Sequence, residues 1–269
     1  MDSRSFMMEF YGDYHTHSRH SDGRQSEADI AAAARKRGLK EVAITDHGPL
    51  AAVIGVDNAG EYSKIRERID EDCWDKEGPR VLLGAEANIR DLQGTLDIPP
   101  SVIEDLDLLI AGMHPYTLPS TIKDGWDLFA RNSLRHLGAA QREKAINANT
   151  KACKEAICQN PDLDILAHPG LFFTVDVQEI AEACAQKEVL FEINCAHEHP
   201  DISDIMEAER AGACFIVNSD SHFEETVGEL DYGAKVLEQL KIDPDRVVNL
   251  EAGGGYAQWG KKMKNCRYS

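Results

Sequence analysis

The stretch from Asp13 to Gly23, DYHTHSRHSDG, packs three histidines and two aspartates into eleven positions. His15 and His17 are separated by one residue, and on an extended chain residues two apart project to the same side. Imidazoles and carboxylates converging on one point, without thiolates, are the donor set of Zn2+, Mn2+ or Fe2+ sites. Comparable donors close further short β-rich runs: "EVAITDH" ends at His47, "RVLLGAEAN" holds Glu86, "DLLIAGMH" ends at His114, and "LDILAHPG" holds His168. "VLFEINC" carries Asn194, and "CFIVNSDSH" carries Asp220 and His222. A single histidine after a strand is as readily a hydrogen-bonded loop residue as a ligand. The same ending on six of seven runs, counting "EFYGDYHTH", calls for a common cause.

The elements that must position these residues are readable as well. Ser26 is placed to cap "EADIAAAARKRG", with Asp29 three residues on, basic residues in the last turn and Gly38 as the stop. Helical patterns follow at about 60–73, 140–159, 177–187, 201–211 and 232–240. Near-continuous apolar strands alternating with helices predict a parallel sheet covered on its outer face. Seven such units predict an α/β fold, a closed or nearly closed barrel in one domain over residues 1–269. In such barrels the C-terminal ends of the strands line the active face, where the histidines and carboxylates fall. The segment at about 115–161 is too long for a simple crossover and reads as an insertion beside that face, where long loops often act as lids. The segment from about 251, with its glycine run and basic residues, reads as peripheral.

Composition narrows the function classes. A formal charge of −18 argues against a general nucleic-acid or membrane surface, although a basic insertion leaves room for a local groove. It does not exclude a phosphorylated substrate, because bound cations can reverse the local field. No apolar run approaches the roughly 20 residues of a membrane span, and Asp2, Arg4 and Glu9 interrupt the N-terminus before any signal-like apolar core. The seven scattered cysteines, without a C-x-x-C pair, read as reduced thiols of a cytoplasmic protein.

The set H-x-H (His15, His17), S-D-G (Asp22), T-D-H (His47), G-A-E-A-N (Glu86), A-G-M-H (His114), A-H-P-G (His168) and S-D-S-H (Asp220, His222) resembles the PHP family, named for polymerase and histidinol phosphatase. The resemblance runs from about Asp13 to about Leu250 in the family's order. It is strongest toward the bacterial phosphatases that share the phrases "ITDHGP", "EAN", "HPG" and "SDSH". It implies a distorted (βα)7 TIM-like barrel and three divalent metal ions: one on His15, His17, Glu86 and Asp220, a second on Glu86, His114 and His168, and a third on Asp22, His47 and His222. His20 is the alternative to Asp22 in the first loop. It also implies hydrolysis of small phosphate monoesters, histidinol phosphate among the candidates, by a metal-activated hydroxide held between the first two ions. Three divalent ions against three carboxylates leave such a centre about three units positive, an anion trap in an acidic chain.

Candidate substrate contacts are Arg24, Arg131 and Arg135, whose guanidinium forks suit phosphate, together with Asn194 and His197 after the sixth strand. Asp46 precedes a ligand histidine and is a candidate support for it. Two other readings share the donor set. One is a metal-dependent hydrolase of a C–N or C–O bond, and the other is a non-catalytic metal-binding accessory module. Substrate chemistry separates all three.

Overall fold

A computed structural model describes residues 8–73 and 77–261. Seven strands, β1 (Gly12–Asp13), β2 (Glu41–Ile44), β3 (Arg80–Asn88), β4 (Leu108–Gly112), β5 (Ile165–Leu166), β6 (Leu190–Asn194) and β7 (Phe215–Asn218), form one sheet in sequence order. Each pairs in parallel with the next. Crossover helices follow the strands in turn: α1 (Glu27–Lys36), α2 (Glu61–Asp72), α3 (Pro100–Ile103), α4 (Ala139–Gln159), α5 (Val177–Lys187), α6 (Ile202–Arg210) and α7 (Asp231–Leu240). The ends of the sheet meet just past β1 and β7. There Thr16 bridges Ser221 in parallel, and the Tyr14 N–H donates to Asn218 Oδ1 at 3.0 Å. The predicted seven-unit barrel is therefore present and nearly closed.

Local sequence explains the elements. Ser26 and Asp29 form a reciprocal capping box at the start of α1, and the chain leaves the helix through Gly38 at φ 79°. Along β3, Leu83, Ala85 and Ala87 pack outward with the helices, while Leu82 joins the barrel interior. The period-two alternation then carries Glu86 and Asn88 to the inner side. β6 repeats the pattern, with Phe191 and Ile193 outside and Leu190 inside, followed on the inner face by Glu192 and Asn194. The interior is thus apolar at its lower end, through Leu82, Leu108, Ile110, Ile165, Leu190 and Ile216, and polar at the C-terminal mouth.

The C-terminal segment is not peripheral. Gly254 and Gly255, at φ 74° and 79°, turn the chain under the barrel, and Tyr256 and Trp259 enter the interior cluster. Trp259 meets the rings of Tyr14 and Tyr256 edge-on, at centroid distances of 5.2 and 5.0 Å. The Tyr256 N–H and the Tyr14 hydroxyl both donate to Glu41 Oε2, at the start of β2. The physical reason is simple: the lower end of the barrel ends in apolar side chains and needs cover.

The 115–161 segment also departs from its expected place. Residues 116–118 pair with residues 50–52, through Ala52 N–H to the Tyr116 carbonyl and Leu118 N–H to the Leu50 carbonyl. The short turns over 122–137 then swing aside and lean on α4, where the Asn132 and Asn149 amides pair at 2.7 and 3.0 Å. Among the described residues no helix is long and apolar enough to cross a membrane, and the six described cysteines are unpaired. Cys266 lies outside the described residues.

Candidate metal centre

Eight of the nine side chains singled out in the sequence sit on or just past the strand ends, and Asp22 reaches them from the first loop. Glu86, on β3, lies at their centre. Its Oε2 is 3.3 Å from His15 Nε2, 3.6 Å from His17 Nε2 and 2.9 Å from His47 Nδ1. Its Oε1 is 3.1 Å from His114 Nε2 and 2.9 Å from His168 Nε2. Asp220 Oδ1 lies 3.2 Å from His17 Nε2 and 3.5 Å from His15 Nε2. Asp22 faces His222 Nε2 at 3.3 Å and His47 Nε2 at 3.8 Å.

Three overlapping groups have donor atoms close enough to share an ion: His17, Asp22, His47 and His222; His15, His17 and Glu86; and His47, Glu86 and His114. The structure thus brings Asp22, not His20, into the cluster. His20 turns away, its two ring nitrogens 2.9 Å from Glu27 and 3.1 Å from Glu61. His17 and His47 each fall in two groups, a sharing that sequence order alone does not reveal.

The donors fit divalent cations on their own chemistry. His15 Nε2, both nitrogens of His17, His47 Nδ1 and Glu86 Oε2 are buried without an aligned hydrogen-bond partner. Each such atom costs about 1–3 kcal/mol when left unsatisfied, so the cluster makes physical sense as a cradle for positive charge.

The electrostatics agree. Burial pushes the Glu86 carboxyl up, yet the imidazoles of His47, His114 and His15 packed around it together hold it well below the usual range. Asp220 behaves alike, with His15 and His17 outweighing its burial. His114 is depressed to about 4, chiefly by burial, and is neutral at ordinary pH. His222 is raised to about 9 because Asp22 and Asp220 outweigh its burial, so without a metal it is cationic.

The cluster floors a cavity of about 790 Å3, rimmed by Tyr116, Phe172 and Phe223. Of the candidate substrate contacts, His197 lies on its wall and Arg24, Arg131 and Arg135 do not. Arg24 is exposed, Arg131 binds Asp127 at 2.7 Å, and Arg135 donates to the Asn132 carbonyl. These guanidinium groups have partners or solvent that the sequence could not reveal. Asn194 is fully buried behind the wall, donating to Asp220 Oδ2 at 3.0 Å and Glu192 Oε2 at 3.2 Å, so it braces the cluster. Tyr116 is the single described residue of 115–161 on the wall, so that segment does not cover the mouth.

Asp46, a candidate support in the sequence, holds the first loop, accepting from the Ser18 N–H and hydroxyl at 2.7 and 2.6 Å. Two further supporting residues, Asn88 and Glu192, were not singled out in the sequence. Asn88 Oδ1 lies 2.8 Å from His114 Nδ1 and is itself gripped by Asp97. Glu192 lies 2.7 Å from His15 Nδ1. The available signal was a polar side chain two positions from another inside an apolar strand, as in Glu86 and Asn88 or Glu192 and Asn194.

Fold and donor set together define a metal-dependent hydrolase of the barrel type. A family model described as PHP domain matches residues 13–196, and the chain belongs to that family. "Probable phosphatase YcdX" of Escherichia fergusonii is 30% identical over 234 residues, covering 83% of this chain and 82% of that protein. A probable phosphatase of a Thermoanaerobacter species is 28% identical over 252 residues, covering 90% and 91%. Among solved structures, the chain resembles the histidinol phosphate phosphatase of Lactococcus lactis, crystallised with zinc, L-histidinol and phosphate. The TM-score is 0.59 at 18% identity, over 85% of this chain and 93% of that one. That likeness speaks to the fold.

Proposed function

We propose that the chain is a metal-dependent phosphoesterase acting on phosphate monoesters of small metabolites. The observation that carries the reading is Glu86, buried and shared between the His15–His17–His47 side and the His114–His168 side of one cluster. In this reading His15, His17, Glu86 and Asp220 hold one ion, Glu86, His114 and His168 a second, and Asp22, His47 and His222 a third, each Zn2+, Mn2+ or Fe2+. Bound there, the ions would lower the pKa of water toward neutrality and neutralise charge on the phosphoryl oxygens.

The chain's own residues do the rest. Lys235 is the sole lysine or arginine among the described lining residues, so the wall offers no guanidinium clamp and phosphate recognition falls to the cationic centre. Phe172 packs on the His114 and His168 rings, at 5.7 and 5.6 Å, and shields them while presenting an apolar wall to the ester group. The cavity suits a small substrate, and the Lactococcus enzyme's ligands make histidinol phosphate a candidate. That the six described cysteines are unpaired supports a cytoplasmic setting.

Elemental mass spectrometry on protein purified without chelator should find two to three ions per chain. Hydrolysis of a phosphate monoester panel should vanish on chelation and return with added metal. A metal-loaded protein inert toward every ester but active on amides or carboxylic esters would overturn the phosphoesterase reading.

Proton release offers a second check. Because His222 titrates at about 9 in the metal-free chain, an ion binding to Asp22, His47 and His222 must displace its proton at pH 7. Occupancy of that group should therefore strengthen as pH rises toward 9. Calorimetric heats of Zn2+ binding should differ between buffers of unequal ionisation enthalpy, and buffer-independent heats would contradict it.

A further inference from the structure

The contacts behind the imidazoles are uneven. Glu192, on β6 and fully buried, accepts from four donors: His15 Nδ1 at 2.7 Å and Asn218 Nδ2 at 2.9 Å on Oε1, and the His168 backbone N–H at 2.8 Å and Asn194 Nδ2 at 3.2 Å on Oε2. One carboxylate therefore ties β1, β5, β6 and β7 together directly beneath the cluster. By contrast His114 Nδ1 is held by the neutral amide of Asn88, and His222 Nδ1 by the backbone carbonyl of Asp220. Among the described residues, His15 is the one imidazole of the nine-residue set with a hydrogen bond to a carboxylate outside that set.

A carboxylate can only accept, so Nδ1 of His15 holds a proton, and Nε2, facing Glu86 and Asp220, is the nitrogen left to offer a lone pair to an ion. Gripping the His168 N–H also fixes a backbone at φ 28°, a left-handed conformation that an unsupported histidine seldom keeps. Glu192 thus sets the donor atom of one candidate ligand and the loop geometry of another.

We propose that Glu192 is a positioning residue that locks His15 as an Nε2 donor and adds negative charge behind the ion that His15 holds. The ion shared by His15, Glu86 and Asp220 is then bound more tightly than the ion of the Asp22, His47 and His222 group. This rests on the ligand assignment proposed above. In E192Q the amide can accept on one side but must place an NH2 against either His15 Nδ1–H or the His168 N–H, so the four-donor arrangement breaks while side-chain size is kept.

The experiment is Zn2+ titration of metal-stripped wild type and E192Q against a competing chelator, with 15N NMR of the His15 ring in the Zn2+-loaded chains. Loaded wild type should show His15 protonated on Nδ1 and a distinct tight step. E192Q should weaken the tight step about 10- to 100-fold, the usual range for such supports, while the weaker step stays within about twofold. E192D, which keeps the charge one methylene further back, should fall between them.

A wild-type His15 carrying its proton on Nε2 would overturn the positioning role, and that measurement needs no folded variant. Equal weakening of all steps, with a lowered melting temperature, would reduce Glu192 to a structural brace. Wild type that binds no Zn2+ would instead overturn the metal-site reading.

Discussion

Replacing Glu86 with glutamine is expected to lower kcat/KM by about a thousandfold or more, since metal-ion catalysis contributes several kcal/mol and each 1.36 kcal/mol is tenfold. The carboxylate is wholly buried, and its two oxygens face different histidines. Glutamine keeps the shape but offers one acceptor, no charge and an NH2 that cannot ligate. The loss should therefore appear as missing metal, read by elemental analysis, together with missing turnover. In the metal-free chain E86Q should also be less stable by about 3–5 kcal/mol at neutral pH, the usual cost of removing one partner from a buried charged cluster. The sign with pH follows from the depressed carboxyl. Its stabilisation is fully present above the ordinary carboxylate range and is lost as pH falls through the lower folded-state value, so the gap between wild type and E86Q should close on acidification. E86Q that kept its ions and more than a tenth of wild-type activity would refute the bridging role.

Much of this was legible because barrel physics is local. Short apolar runs, a helix cap at Ser26 and repeated polar endings give the strand order and the face that carries the donors. The convergence of His15, His47, His114 and His168 follows from strand order, since each lies just past a strand end of a parallel barrel. What the sequence hid depends on long-range contact. Asn194 reads as a mouth residue, yet period-two alternation on β6 turns it inward beneath Asp220. Arg131 and Arg135 read as phosphate grips, but Asp127 and the Asn132 carbonyl take them. Glu192 was passed over because an isolated glutamate in a strand has no local meaning until His15, 177 positions away, comes to meet it.

The acidic chain and the phosphate substrate also fit together once the centre is placed. The wall around the cavity carries Glu198, Glu229 and Asp231 and a single lysine, so without bound ions the cavity would repel a phosphate. Chelation should for that reason abolish phosphate binding as well as turnover. Inorganic phosphate should inhibit the metal-loaded form competitively and leave no binding heat with the stripped form.

At the opposite end of the barrel, Trp259→Ala should destabilise the fold by about 3–5 kcal/mol, as large aromatic truncations do in packed interiors. Trp259 fills the floor between Tyr14 and Tyr256, and among the described residues of its segment, 252–261, none lies in a strand. In a chain of this length that loss corresponds to a fall of roughly 10 °C in melting temperature, best measured on metal-stripped protein so that ion binding does not mask it. Trp126→Ala supplies the contrast: its ring is 58% exposed on the segment that swings aside, and its loss should move the melting point by no more than about 1–2 °C. The histidine–carboxylate cluster stands at the C-terminal mouth, while Trp259 covers the N-terminal end, so turnover at 25 °C by the W259A protein that remains folded should match wild type. A melting temperature unchanged in W259A would mean that the barrel floor closes without its C-terminal plug.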